Sequence, residues 1–187
     1  MDLRRCLLLP ALMLGGCAIP LQYHSSGLMA PIPHDGPGHT LCTLSVSLAD
    51  PELMADPSHG ALEAQMQAQI AHFIRGDGRF VLNTDAEDCA GTELALTFTD
   101  ITDVGNFEVY ADGMPMTLTA VADVRYWRND QAPASAQQFT RSSVMEVTPE
   151  LDGDLAGTNL LFINSVRNKT RLMESILAEL QIRVEAL

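Results

Sequence analysis

The chain has 187 residues, 47% of them hydrophobic and 19% charged, and its 11 Lys+Arg against 24 Asp+Glu give a formal net charge of −13. That length suits one compact domain rather than two, and the balance is that of a globular chain, not a disordered one. So acidic a surface repels phosphate, which excludes nucleic-acid binding and sets the folded domain as a whole against anionic headgroups.

Residues Met1–Arg5 form a short charged start, and Cys6–Ile19 is an apolar run of 14 residues interrupted at Pro10. A bilayer-spanning helix needs about 18 to 20 such residues, so residues 1–16 read as a signal peptide and not as a transmembrane anchor. The run contains Leu14-Gly15-Gly16-Cys17, the lipobox pattern of bacterial lipoproteins. Its small residues let the chain lie extended in a peptidase cleft, and the Cys17 thiol is the group that takes the diacylglycerol. One acyl chain holds a protein weakly and two or more hold it stably; a lipobox cysteine carries three. Ala18 follows where Asp would retain the protein at the inner membrane by the enteric sorting rule. The expected location is therefore the outer membrane, with the protein lipid-anchored and facing the periplasm.

Cys6 leaves with the signal and Cys17 is acylated, so Cys42 and Cys89 remain as an even pair in an oxidising compartment. A bridge between them closes a 47-residue loop; two buried free thiols are the alternative.

Residues 17–39, with prolines at 20, 31, 33 and 37, read as the lipidated N-terminus and a flexible tether, and residues 40–187 as a single domain. Cys42, Leu44, Val46 and Leu48 alternate with Thr43, Ser45 and Ser47, the pattern of a half-buried strand. Gly60–Arg75 places Leu62, Met66, Ile70, Phe73 and Ile74 on one helical face, with Ser58 as N-cap and Gly76-Asp77-Gly78 as the stop. Phe80–Leu82 is a candidate short strand. Leu94, Leu96 and Phe98 alternate in a strand running to about Ile101, and Met116–Trp127 alternates again, with Leu118, Ala120, Ala122, Val124 and Tyr126 inward. After a turn-rich connection, Gln138–Val147 makes the fourth main strand. Finally Ile163, Val166, Thr170, Met173, Leu177, Leu180, Val184 and Leu187 follow alternating steps of 3 and 4, widened by Leu172 and Ile176. Such a seam is either a coiled coil or a long helix laid across a sheet, and four half-buried strands need the latter as a cover. The order predicts an α+β two-layer sandwich, with about four strands in a mixed sheet covered on one face by two helices.

Chemistry is sparse. There is no Gly-x-Ser-x-Gly elbow, no cysteine–histidine signature, no phosphate-cradling glycine loop and no dinucleotide fingerprint. His34, Asp35 and His39 lie around a flexible Gly36-Pro37-Gly38 rather than at helical i, i+4 spacing, and Asp152-Gly-Asp154 lacks the twelve-residue calcium-loop pattern. No catalytic residue, metal or cofactor is expected, and the protein reads as a non-enzyme. The basic residues that stand out are Arg125, Arg128 and Arg141, which with Trp127 are expected to form a cationic and aromatic patch for a partner or an anionic glycolipid. Cross-strand pairing of these arginines with Asp123 or Glu146 is the alternative.

The lipobox Cys17, the aromatic stretch Tyr23-His-Ser-Ser-Gly27 and the order of elements resemble the LptE-like lipopolysaccharide-assembly lipoproteins of the outer membrane. Three local matches carry the resemblance: Ile70–Arg75 running into Gly78-Arg79-Phe80, then Leu94–Ile101, then Met116–Trp127. It spans the mature chain in organisation, with loose motifs. The chain departs from the family where Ala18 follows the cysteine in place of Gly-Tyr or Gly-Phe, and in its acidity where glycolipid-binding members use basic side chains. The resemblance implies a lipoprotein that plugs and helps assemble a β-barrel outer-membrane partner (LptD-like) and presents lipopolysaccharide for export, with Arg125, Trp127, Arg128 and Arg141 as contacts. Two other functions are an auxiliary lipoprotein of an envelope ABC transporter or cell-wall synthase, and a periplasmic hydrolase.

Overall fold

A computed structural model describes residues 27–36, 38–50, 54–55, 57–83, 89–101, 116–148 and 156–186. The signal peptide, Cys17 and the acidic segments at 85–88 and 149–155 lie outside the described residues.

The elements in chain order are β1 (His39–Leu48), α1 (His59–Asp77), β2 (Phe80–Leu82), β3 (Thr92–Ile101), β4 (Met116–Arg128), a 3-10 turn (Pro133–Ser135), β5 (Gln137–Val147) and α2 (Ala156–Glu185). The five strands make one sheet in the order β2-β1-β3-β4-β5. β1 runs parallel to both β2 and β3, while β3–β4 and β4–β5 are antiparallel. The α+β sandwich is thus as expected, with a fifth strand because Phe80–Leu82 pairs with residues 39–41.

Alternation decides which face is buried. Leu44, Val46, Leu48, Leu94, Leu96, Phe98, Ala120, Ala122, Val124 and Tyr126 point one way and meet Leu62, Met66, Ile70, Phe73 and Ile74 of α1 and Leu172, Met173, Ile176, Leu177 and Leu180 of α2 in a single core. Leu177 and Leu180 of the seam are fully buried and Thr170 is buried beside them, whereas Ile163 is 44% exposed. A straight helix of 3.6 residues per turn drifts about 20° per heptad against a 3.5-residue seam, so the seam's N-terminal end rotates out to solvent. Leu172 and Ile176, at the margin of the expected stripe, sit at the centre of the buried face.

Three polar devices hold the layers in register. Asn168 of α2 is buried against the sheet; its Nδ2 donates to the carbonyls of Leu118 (3.0 Å) and Ser143 (3.1 Å), and Ser143 Oγ donates to its Oδ1 (2.6 Å). β2 is too short to pair the whole of β1, and α1 covers the remaining edge with side chains four residues apart. His59 Nε2 donates to the Leu48 carbonyl (3.0 Å), the Leu48 N–H donates to Glu63 Oε1 (2.8 Å), and Gln67 Nε2 donates to the Leu44 carbonyl (3.1 Å). A strand edge satisfied in this way is closed to stray pairing. Third, Cys42 and Cys89 are joined in a disulfide, with Cα atoms 5.6 Å apart. It fastens the segment entering β3 to the middle of β1.

Helix α1 ends at Gly78, whose φ of +84° is the left-handed conformation that glycine adopts without strain. A Cβ there would also lie 2.8 Å from the His34 carbonyl oxygen. The approach shows where the lead-in to β1 runs. Composition reads residues 17–39 as a tether, yet from Gly27 onward this stretch lies on the helical layer. Leu28 packs against the core, the Met29 N–H donates to Thr170 Oγ1 of α2 (2.9 Å), Pro31 abuts Gly76 of α1, and the His34 N–H donates to the Asp77 carbonyl (2.7 Å). Apart from the Leu28 side chain, backbone groups and a proline ring make these contacts, so no side-chain periodicity announces them.

Candidate interaction surfaces

The four residues expected to form one patch are divided by the sheet. In register, Arg125 stands opposite Ala95 and Gln138, and Trp127 opposite Glu93, all on the face away from the helices. Among the described residues Arg125 makes one long contact, 3.5 Å from Nη2 to the Pro133 carbonyl, and Arg128 turns to Asp130 (3.2 Å). Arg141 stands opposite the buried Ala122 and therefore faces α2, where its Nη2 lies 2.7 Å from Glu179 Oε2. Asp123, the alternative ion-pair partner, accepts instead from Thr140 Oγ1 (2.6 Å). The single patch is thus corrected to two separate surfaces. The signal was available in the sequence, because Phe139, Met145 and Val147 share the parity of Arg141 in β5.

The surface around Arg141 includes residues that sequence reasoning missed. Glu179 receives Arg183 Nε (2.7 Å) on one oxygen and Arg141 on the other. Both guanidinium groups lie over the Phe139 ring, at 4.8 Å for Arg183 and 5.8 Å for Arg141. Tyr126 meets Phe139 edge-on and donates its hydroxyl to Gln137 Oε1 (2.6 Å). Only the i, i+4 spacing of Glu179 and Arg183 hinted at this cluster. The hydrogen bond from Arg183 is the largest influence and, with the weaker pull of the Arg141 charge, holds the Glu179 carboxyl below the usual carboxylate range against the opposing effect of burial. Because the folded pKa is depressed, this stabilisation is present above the unfolded carboxylate pKa and is lost as pH falls through the folded one. Glu179→Gln should therefore lower the melting temperature at neutral pH, with the gap to wild type closing on acidification. Thermal melts across the acid range check this, and a gap independent of pH would refute the pairing.

The second surface is the uncovered face of the sheet. Its rows run Ser45–Ala95–Arg125–Gln138 and Ser47–Thr97–Asp123–Thr140, followed by Asp100–Val121–Ser142. Hydroxyls link neighbouring strands: Ser47 to Thr97 (3.0 Å), Thr140 to Asp123, and Thr43 to Glu93. Short hydroxyl side chains share this face with Glu93, Arg125, Trp127 and Gln138, and among the described residues no helix packs on it. A third feature is a pocket of about 190 Å³ lined by His34, Asp35, His39, Arg79, Gln181 and Glu185. Beneath it Asp77 and Arg79 form a buried two-point ion pair, Nε to Oδ1 and Nη2 to Oδ2, both 2.7 Å. His39 Nε2 lies 3.5 Å from Glu185 Oε1 and His34 Nε2 3.9 Å from Asp77 Oδ2. Among the described residues no group of three or more His, Cys, Asp or Glu is arranged to hold a metal ion, and no helix is long and apolar enough to cross a membrane.

No protein-family model matches the sequence, and a comparison with curated proteins finds no match either. Solved structures with some likeness include a protein from Xanthomonas campestris of the DUF330 family (12% identity, TM-score 0.43, covering 83% of this chain and 89% of that one) and an uncharacterized protein (12%, 0.42, 79% and 99%). A third is rare lipoprotein B from Shewanella oneidensis (12% identity, TM-score 0.34, 76% of this chain and 98% of that one).

Proposed function

We propose that this protein is a non-enzymatic lipoprotein of the outer membrane, anchored through Cys17, that serves as an assembly or plug partner of a β-barrel in lipopolysaccharide transport. The observation that carries the reading is the division of the sheet: one face buried beneath two helices, the other polar and, among the described residues, uncovered. The short side chains along its middle, Ser47, Thr97, Thr140 and Ser142, lose little rotamer entropy when a partner covers them. The lipobox supplies the anchor that keeps the domain at the membrane. Groups with acid–base capacity are tied to structural tasks, His59 and Glu63 at the edge of β1, Asp77 with Arg79, and Glu179 with two arginines. This arrangement favours a binding role over hydrolysis.

The test is a mild-detergent purification of the tagged, lipidated protein, with mass spectrometry of stoichiometric partners. A large β-barrel protein in equal amount is the expected result. An inner-membrane transporter or synthase in its place would establish the auxiliary-lipoprotein function instead, and the absence of any partner would sink both.

A further inference from the structure

Net charge alone sets this domain against anionic headgroups, but the fold does not distribute its charge evenly. Three exposed arginines lie on the outer surface of the helical layer: Arg75 near the end of α1, and Arg167 and Arg171 one turn apart on α2. Among the described residues none of the three makes an ion pair. Several of the described carboxylates are turned away from them. On α1, Glu63 is held at the edge of β1 and Asp77 is buried with Arg79; on α2, Glu179 is turned toward β5. Among the described residues, Glu174 and Glu185 of α2 and the exposed Asp35 of the lead-in are the acids that remain on this side. Glu93, Asp100, Asp123 and Glu146 belong to the opposite face of the molecule, on the open side of the sheet.

Apolar side chains accompany the arginines. Ile32 is 72% exposed, and Met29 and Ile163 are each exposed by more than two-fifths. The lead-in that carries Met29 and Ile32 is held on this same layer, beginning at Gly27, where an added Cβ would lie 3.7 Å from Val166 Cγ2. Ten residues, 18–27, follow Cys17 up to and including Gly27. At roughly 3.3–3.6 Å per residue they reach about 35 Å when fully extended, comparable with the diameter of the domain. The chain thus enters the fold on this surface, which lies within reach of the anchor.

We infer that the lipid-anchored protein, before it meets a partner, lies with its helical layer against an anionic bilayer surface, through Arg75, Arg167, Arg171, Met29 and Ile32. This rests on the acylation of Cys17 given under the proposed function. The acyl chains supply affinity, and the uneven charge supplies orientation, because the acidic sheet face is repelled by the headgroups that attract the arginines. The open face then points away from the bilayer and is free to receive a protein.

The lipidated protein is placed in vesicles of phosphatidylethanolamine with phosphatidylglycerol that carry a headgroup quencher. A fluorophore is attached through Ile32→Cys on the helical layer or Val144→Cys on the open face; Val144 is likewise exposed. Quenching at position 32 is expected to exceed that at 144 by about fivefold or more, the population ratio that one arginine near an anionic surface supports. The difference should vanish in Arg167→Glu/Arg171→Glu, in phosphatidylcholine vesicles and in molar salt, where the Debye length is about 3 Å. Equal quenching at both positions in a protein that carries acyl mass and floats with the vesicles would overturn the orientation and leave the anchor intact. A mature protein without acyl mass that does not float would overturn the anchor, and the orientation with it.

Discussion

Leu180→Asp is expected to abolish folding of the domain. Leu180 is fully buried in the face of α2 that covers the sheet, among Leu172, Met173, Ile176 and Leu177. An aspartate there must either carry an unpaired charge into an apolar core or take up a proton, and it also removes a large side chain from a close-packed layer. The two effects together cost several kcal/mol, on the scale of the whole stability of a domain, about 5–15 kcal/mol. Far-ultraviolet circular dichroism and a urea titration decide the matter. The control is Ile182→Asp, two residues along the same helix but 65% exposed, which should change stability by less than about 0.5 kcal/mol. A folded Leu180→Asp protein that loses only a partner would move the stripe from the core to an interface.

Removing the disulfide by Cys42→Ala/Cys89→Ala should lower stability by about 4 kcal/mol, the loop-closure entropy for the 47 residues between the cysteines. For a domain of this size that is a fall in melting temperature of roughly 8–16 °C. The bridge ties β1 to the entry of β3, two strands whose parallel pairing brings distant parts of the chain together. Its loss should widen the unfolded ensemble without changing the sheet. Wild type under reducing conditions and the double variant should unfold at the same denaturant concentration, well below that of the oxidised wild type. Unchanged midpoints on reduction would show that the bridge does not form in the mature protein.

The parts of the fold that rest on near neighbours in the chain were legible. The strands of β1, β3 and β4 follow from strict alternation, such as Leu94, Leu96 and Phe98, because side chains of an extended strand point to opposite faces whatever the strand pairs with. The face of α1 follows from Leu62, Met66, Ile70, Phe73 and Ile74, and its end from Gly78, for similarly local reasons. Two helices and several half-buried strands then leave little choice but a two-layer sandwich. Even the inward aim of Arg141 was written in the parity of β5, although its meeting with Glu179 was not.

What only the tertiary structure decided are the relations that depend on groups without a periodic signature. The sheet order β2-β1-β3-β4-β5 turns on a three-residue strand too short to show alternation. The pinning of α2 turns on Asn168, a residue type that in a helix most often faces water and here supplies both donors and an acceptor to β4 and β5. The segment from Gly27 to His34 reads as a tether because its contacts are made by backbone N–H groups and proline rings, which composition counts as loop. Net charge, finally, is a sum over the chain and carries no direction. The packing of two helices on one face of the sheet is what separates Arg75, Arg167 and Arg171 from Glu93, Asp100, Asp123 and Glu146 on the other face.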